Sequence, residues 1–218
     1  MALQATLEHV LTTPTYLYVW AAVVFCSVAV VVYDLHTNQE LASLMEVVWT
    51  LTVLYSGPLG LAVYWYAGRQ QISRDSLWRR GVRSTAHCYS GCGAGEVTGV
   101  VIAAGVLALA TELTIAVTFA CAYTFGMALT IGPLMQEGVG AGEAIRDAFY
   151  SETPSITVME VVAISTDVWL AGEATMAEPL FWSALLFSLS IGFAAAYPVN
   201  VLLVSQGVKE GMQNPAAA

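Results

Sequence analysis

The sequence is short of charge. Only 11% of its 218 residues are Asp, Glu, Lys or Arg, where a soluble globular domain carries about 25%. Together with 57% hydrophobic residues and a mean hydropathy of +0.68, that deficit excludes a soluble domain with a large core. It implies a chain whose outer surface is apolar as well, as in a polytopic protein sitting in a lipid bilayer. Positive charge is scarcer still: six arginines and one lysine stand against 16 acidic residues, for a net charge of −9. A nucleic-acid partner, which requires a basic face, is excluded. The acid-rich, lysine-poor balance is halophile-like, although acidic loops on an ordinary membrane protein give the same count.

Other absences narrow the function. No lysine lies inside an apolar run, so a retinal Schiff base is excluded. The chain has no phosphate-cradling G-x-x-x-x-G-K-[ST] loop and no G-x-S-x-G nucleophile elbow. Its four cysteines, Cys26, Cys88, Cys92 and Cys121, lie mostly within or beside apolar segments and do not form the pattern of a secreted disulfide framework. No Lys or Arg precedes the first apolar run, so that run reads as a retained span and not as a signal peptide. No separate soluble domain and no matched pair of broken helices is evident. The chain, 1–218, therefore reads as a single membrane domain with a disordered tail at 213–218.

Apolar runs long enough to span a bilayer, roughly 17–25 residues, fall at Tyr16–Tyr33, Val47–Ala67 (with a kink at Gly57-Pro58), Pro154–Leu170 and Leu180–Val204. The run Val97–Met135 is nearly twice a bilayer's hydrocarbon thickness at about 1.5 Å per residue, so it predicts two helices with a turn near Ala110–Glu112. The total is six spans in an all-α helix bundle. Arg69, Arg74, Arg79, Arg80, Arg83, Arg146 and Lys209 then share one face. The positive-inside rule makes that face, the basic loop 69–86 and both termini cytoplasmic, with the cell membrane as location. Trp20, Trp49, Trp65, Trp169 and Trp182 read as interfacial anchors near span ends.

One stretch gathers chemistry. "HCYSGCGAGE", residues 87–96, lies at the expected entrance of the third span. On a helix, Cys88, Cys92 and Glu96 share one face, and His87 lies beside it. Thiolates and imidazole suit Cu(I), and less well Zn(II), while Glu96 one turn deeper is placed to relay a proton or cation. This makes His87, Cys88, Cys92 and Glu96 the candidate metal or thiol-redox site. The competing reading is packing: Gly91, Gly95 and Gly99 form overlapping G-x-x-x-G pairs that let a second helix approach closely, and buried cysteines behave as small hydrophobes. On that reading the chain is a non-catalytic scaffold subunit docking other membrane subunits. Glu160, six residues into its span, is the acid hardest to dismiss as wet; Glu112 and Asp167 fall near span ends.

Four stretches, "GPLGLAVYW" at Gly57–Trp65, "HCYSGCGAGE" at His87–Glu96, "AFYSETPSITVMEV" at Ala148–Val161 and "FAAAYPVNVLLVSQGVKEGM" at Phe193–Met212, together resemble the membrane family catalogued as domain of unknown function 4396, over residues 46–213. Glu96 and Glu152 stand where the family pattern has Asp. The Tyr-Pro-x-Asn and Gly-x-Lys-Glu-x-Met elements match Tyr197, Pro198, Asn200, Gly207, Lys209, Glu210 and Met212. The resemblance implies a multi-pass fold and, as partners, copper-handling proteins. It implies no mechanism.

Overall fold

The structure is a computed structural model, and it describes residues 2–72 and 74–209. The tail expected to be disordered, 213–218, and the family-like Glu210 and Met212 lie outside the described residues. Eight α-helices run in the order α1 (Ala2–Thr12), α2 (Pro14–Asn38), α3 (Ser43–Ser56), α4 (Pro58–Ala67), α5 (Leu77–Val100), α6 (Thr111–Gln136), α7 (Ala141–Ala171) and α8 (Pro179–Ser205). A π segment, Val101–Val106, extends α5. Four of these helices, α2, α6, α7 and α8, are long and apolar enough to cross a membrane.

The run Val47–Ala67 is not one rod. Gly57 takes φ 57°, a conformation that glycine adopts without a Cβ penalty, and Pro58 starts the next helix without needing a backbone donor. The chain reverses there. A Cβ at Gly60 would stand 2.5 Å from the carbonyl oxygen of Thr52 on α3, and the rings of Trp49 and Tyr64 meet edge to face at 5.4 Å. The tip, at Gly57, abuts Trp20 and Val24 of α2. Trp49 is therefore a buried core residue and not an interfacial anchor.

The open end of this hairpin is stapled to the end of α2. Asp34 accepts two bonds from Arg69, Nε at 3.0 Å and Nη2 at 3.0 Å, and one from the Tyr64 hydroxyl at 2.6 Å. Asn38 and Gln39 complete the carboxylate's shell at 3.0 and 3.2 Å. Both ends of α3–α4 thus lie at the end of the bundle where α2 finishes. At the opposite end, α1 packs under the α7–α8 junction: Gln4 donates to the Trp169 carbonyl at 2.9 Å, and Ser183 donates to the Leu11 carbonyl at 2.8 Å.

Two sequence expectations change. Where one span was expected, α3 and α4 fold back on each other as a hairpin, and Ala2 and Lys209 stand at opposite ends. The basic loop is also shorter than 69–86. Ser76 caps α5 by accepting from the Arg79 amide at 3.3 Å, so the helix begins at Leu77. Arg83, polar in the sequence, is fully buried because Asp75 receives its Nη2 at 2.6 Å and the Ala67 carbonyl its Nη1 at 3.3 Å.

The expected turn near Ala110–Glu112 falls just before Thr111. The segment expected to begin at Pro154 begins at Ala141 instead, and Pro154 and Pro198 are both accommodated inside continuous helices, α7 and α8. Helix α5 sits at the centre, against α6, α8, α3 and α7.

Candidate functional site

The cluster His87–Glu96 does not sit at a helix entrance. It occupies the middle of α5, and His87, Cys88, Cys92 and Glu96 are all buried. Its placement follows from three glycines on the neighbouring face. A Cβ at Gly91 would lie 3.0 Å from Gly126 Cα, one at Gly95 2.5 Å from the Cys121 carbonyl oxygen, and one at Gly99 2.6 Å from Thr118 Cα. All three of these atoms are α6 backbone, so α5 and α6 are in backbone contact within one chain. These glycines are occupied internally and offer no surface to a partner.

Along α5 the polar groups form layers. In the layer nearest the basic end, Lys209 Nζ donates to Glu152 Oε2 at 2.6 Å, to Asn200 Oδ1 at 2.8 Å and to Ser155 Oγ at 3.4 Å. Ser84 also donates to Asn200 Oδ1, at 3.1 Å. His87 comes next. Its Nε2 is 3.5 Å from the Thr130 hydroxyl, its Nδ1 has no hydrogen-bond partner among the described residues, and Glu152 and Lys209 lie within electrostatic range.

Deeper still, the sulfurs of Cys88 and Cys92 are 3.9 Å apart. Glu160 reaches toward the Cys92 thiol from α7. Glu96 lies within electrostatic range of Glu160 and Asp167, while Tyr89 closes the flank toward the hairpin, its hydroxyl 2.7 Å from Ser56 Oγ. From His87 to Glu96 the climb is about 13.5 Å of helix rise.

The carboxylates of the deep layer are the anomaly. Glu96 is 1% exposed and Glu160 0%, yet among the described residues Glu96 Oε2 has no hydrogen-bond partner and Glu160 has only the Cys92 thiol beside it. A charged side chain at a helix centre in lipid costs on the order of 2.5–3.5 kcal/mol on insertion scales, and such residues face interiors or pathways.

Of the four residues singled out in the sequence, the structure brings Cys88 and Cys92 together. His87 belongs to the Lys209–Glu152 layer, and Glu96 lies deeper, with Glu160. Among the described residues, no three His, Cys, Asp or Glu side chains converge as a ligand set for a metal ion. Sequence reasoning listed Glu152, Ser155, Asn200 and Lys209 as separate family-like elements and missed that they meet at one point. The signal was available in their polarity: each falls in or next to a segment otherwise fit for lipid.

No curated protein and no solved structure matches the chain. A family model does match, over residues 77–209, which takes in α5 to α8 and every polar layer described above and leaves the α3–α4 hairpin, with its Gly57–Trp65 element, outside. Over that range, more than half its length, the chain belongs to the family described as Domain of unknown function (DUF4396).

Proposed function

We propose that this protein is a multi-pass protein of the cell membrane that binds a soft monovalent cation, Cu(I) in preference to Zn(II), between Cys88 and Cys92. The observation that carries the reading is the thiol pair: two buried sulfurs one helical turn apart, 3.9 Å from each other. Two collinear thiolate–metal bonds of about 2.3 Å would hold the sulfurs about 4.6 Å apart. The shorter separation favours a bent pair, and few soft donors suit Cu(I) better than tetrahedral Zn(II). Binding to thiols releases protons, and Glu160, beside Cys92, is the nearest acceptor for one, with Glu96 beyond it.

In this reading α2, α5, α6, α7 and α8 cross the bilayer, and the α3–α4 hairpin enters and leaves on one side. All seven basic residues then fall on that side, which the positive-inside rule makes cytoplasmic. The N-terminal helix lies on the other face.

Metal analysis of purified, reduced protein after Cu(I) loading tests the site. Wild type and Cys26→Ser should each retain about one Cu(I), as expected for a single thiol pair, and the Cys88→Ser/Cys92→Ser double variant none. If wild type and double variant hold the same amount, or neither holds any, the cysteines are packing residues and the chain is a scaffold.

A further inference from the structure

We infer that Glu152, Ser155 and Asn200 form a second cation site, separate from the thiol pair, which the chain fills with its own ammonium group and for which a small free cation of the ammonium type competes. The inference rests on how the oxygens are oriented and how the lysine arrives.

Two of the three oxygens are turned toward one point by another bond. Asn200 donates its Nδ2 to the Ala196 carbonyl at 3.1 Å, which directs Oδ1 the other way, onto Lys209 Nζ at 2.8 Å. Ser155 donates its hydroxyl to the Glu152 carbonyl at 3.0 Å, leaving its lone pairs for the ammonium at 3.4 Å. Glu152 supplies the charge, at 2.6 Å. Helices α7 and α8 thus present a three-oxygen cage matched to the three N–H donors of an ammonium. Glu152, Ser155 and Asn200 are all buried, and Lys209 is 7% exposed.

The occupant is delivered from outside the helical frame. Helix α8 ends at Ser205, Gly207 turns the chain at φ 71°, and Lys209 swings back into the bundle. Its tether is held by the Leu203 carbonyl, which accepts from both the Val208 and Lys209 amides, at 3.0 and 3.3 Å. Two donors sharing one acceptor make a light attachment compared with the helix before it. The chain's other six basic residues are arginines, and only at this cage does it use the compact point charge that such a cavity admits. Replacing the tethered ammonium by a free one keeps the ion pair and the cage's hydrogen bonds, so the exchange turns on the free cation's concentration against the effective concentration that the tether sets. His87 lies within electrostatic range, which puts the cage between the basic end of the bundle and the thiol pair.

Thermal unfolding of full-length Lys209→Ala in detergent, with chelator present and no copper, tests the site independently of the thiol reading. Removing one partner of a buried pair should lower Tm by roughly 5–15 °C. Ammonium or methylammonium chloride should restore at least half of that loss; tetramethylammonium chloride at equal ionic strength, too large for the cage, should not. Lys209→Ala combined with Glu152→Gln should show no such selectivity. Lys209→Met, which keeps the stem's packing, gives the same readout if the alanine variant is too unstable to purify. Recovery of folded variant only in ammonium buffer would also support the site. Equal responses to all three salts, or failure of both variants to fold in any of them, would overturn it.

Discussion

Replacing Gly95 by alanine, the smallest change available, should destabilise the protein even though alanine is the better helix former. An added Cβ would stand 2.5 Å from the Cys121 carbonyl oxygen and 2.6 Å from Ala122 Cα. Both are backbone atoms in the middle of α6, so no rotamer change relieves the contact and the two helices must part. Overpacking of this kind costs about 1–3 kcal/mol. Alanine returns about 0.8–1.0 kcal/mol in helix propensity. With the cost toward its upper end, because backbone meets backbone, the net loss is roughly 1–2 kcal/mol. For a chain of this size about 2–4 °C accompanies each kcal/mol, so Tm should fall by roughly 2–8 °C. The control is Gly142→Ala, in the first turn of α7, where apart from its chain neighbours nothing lies within 4 Å of the added atom, so no contact is strained and Tm should hold or rise. Paired melting curves in one detergent decide the matter. A Gly95→Ala protein that melts at or above wild type would refute the backbone contact between α5 and α6, and with it the frame that places the thiols.

Two further outcomes are expected. Tags at the N-terminus and in the Arg69–Arg74 loop should be accessible from opposite sides of sealed vesicles; accessibility from the same side would restore a sixth crossing and remove the hairpin. Asp34→Asn weakens a carboxylate shell that includes two bonds from Arg69, at a cost of roughly 1.5–3 kcal/mol for hydrogen bonds to a charged group, and should speed trypsin cleavage at Arg69 and Arg74. An unchanged cleavage rate would show that the staple does not hold the hairpin.

The fold class was legible in the sequence because lipid demands a simple pattern: long apolar runs separated by polar loops. Helices α6 and α8 follow from it almost to the residue, and α2 runs five residues past its expected end. The hairpin was not, because a glycine–proline pair inside an apolar run marks a kink or a full reversal alike, and tertiary contact decides between them. Here the Trp49–Tyr64 packing and the Asp34–Arg69 staple do so. The early start of α5 was hidden by Arg79, Arg80 and Arg83, which read as loop until Asp75 is seen to neutralise Arg83. Within the site, helical spacing alone foretold the Cys88–Cys92 pair, since it depends on one helix. The Glu152–Asn200–Lys209 cage draws on two helices and the segment beyond α8, and Glu160 comes from a helix facing α5. Such meetings depend on packing between elements far apart in the chain, to which local spacing is blind.

Helix α5 carries nearly all of the candidate chemistry, and it is also the long helix that fails the compositional test for crossing a membrane by itself. Seventeen of its 24 residues are buried, so in the finished protein lipid meets little of it. During synthesis it has no such shelter. On the proposed topology Arg83 and Glu96 fall inside the span, and an arginine near a helix centre costs about 2.5–3.5 kcal/mol in an insertion channel. The glycine contacts and the short turn before Thr111 then commit α5 to enter together with α6. Biogenesis thus rewards apolar substitutions in α5, the same substitutions that would strip the site of its chemistry. On the proposed topology and site, the amount of protein a cell accumulates from a given α5 variant measures how easily that helix was inserted, and it will run opposite to the copper the variant retains.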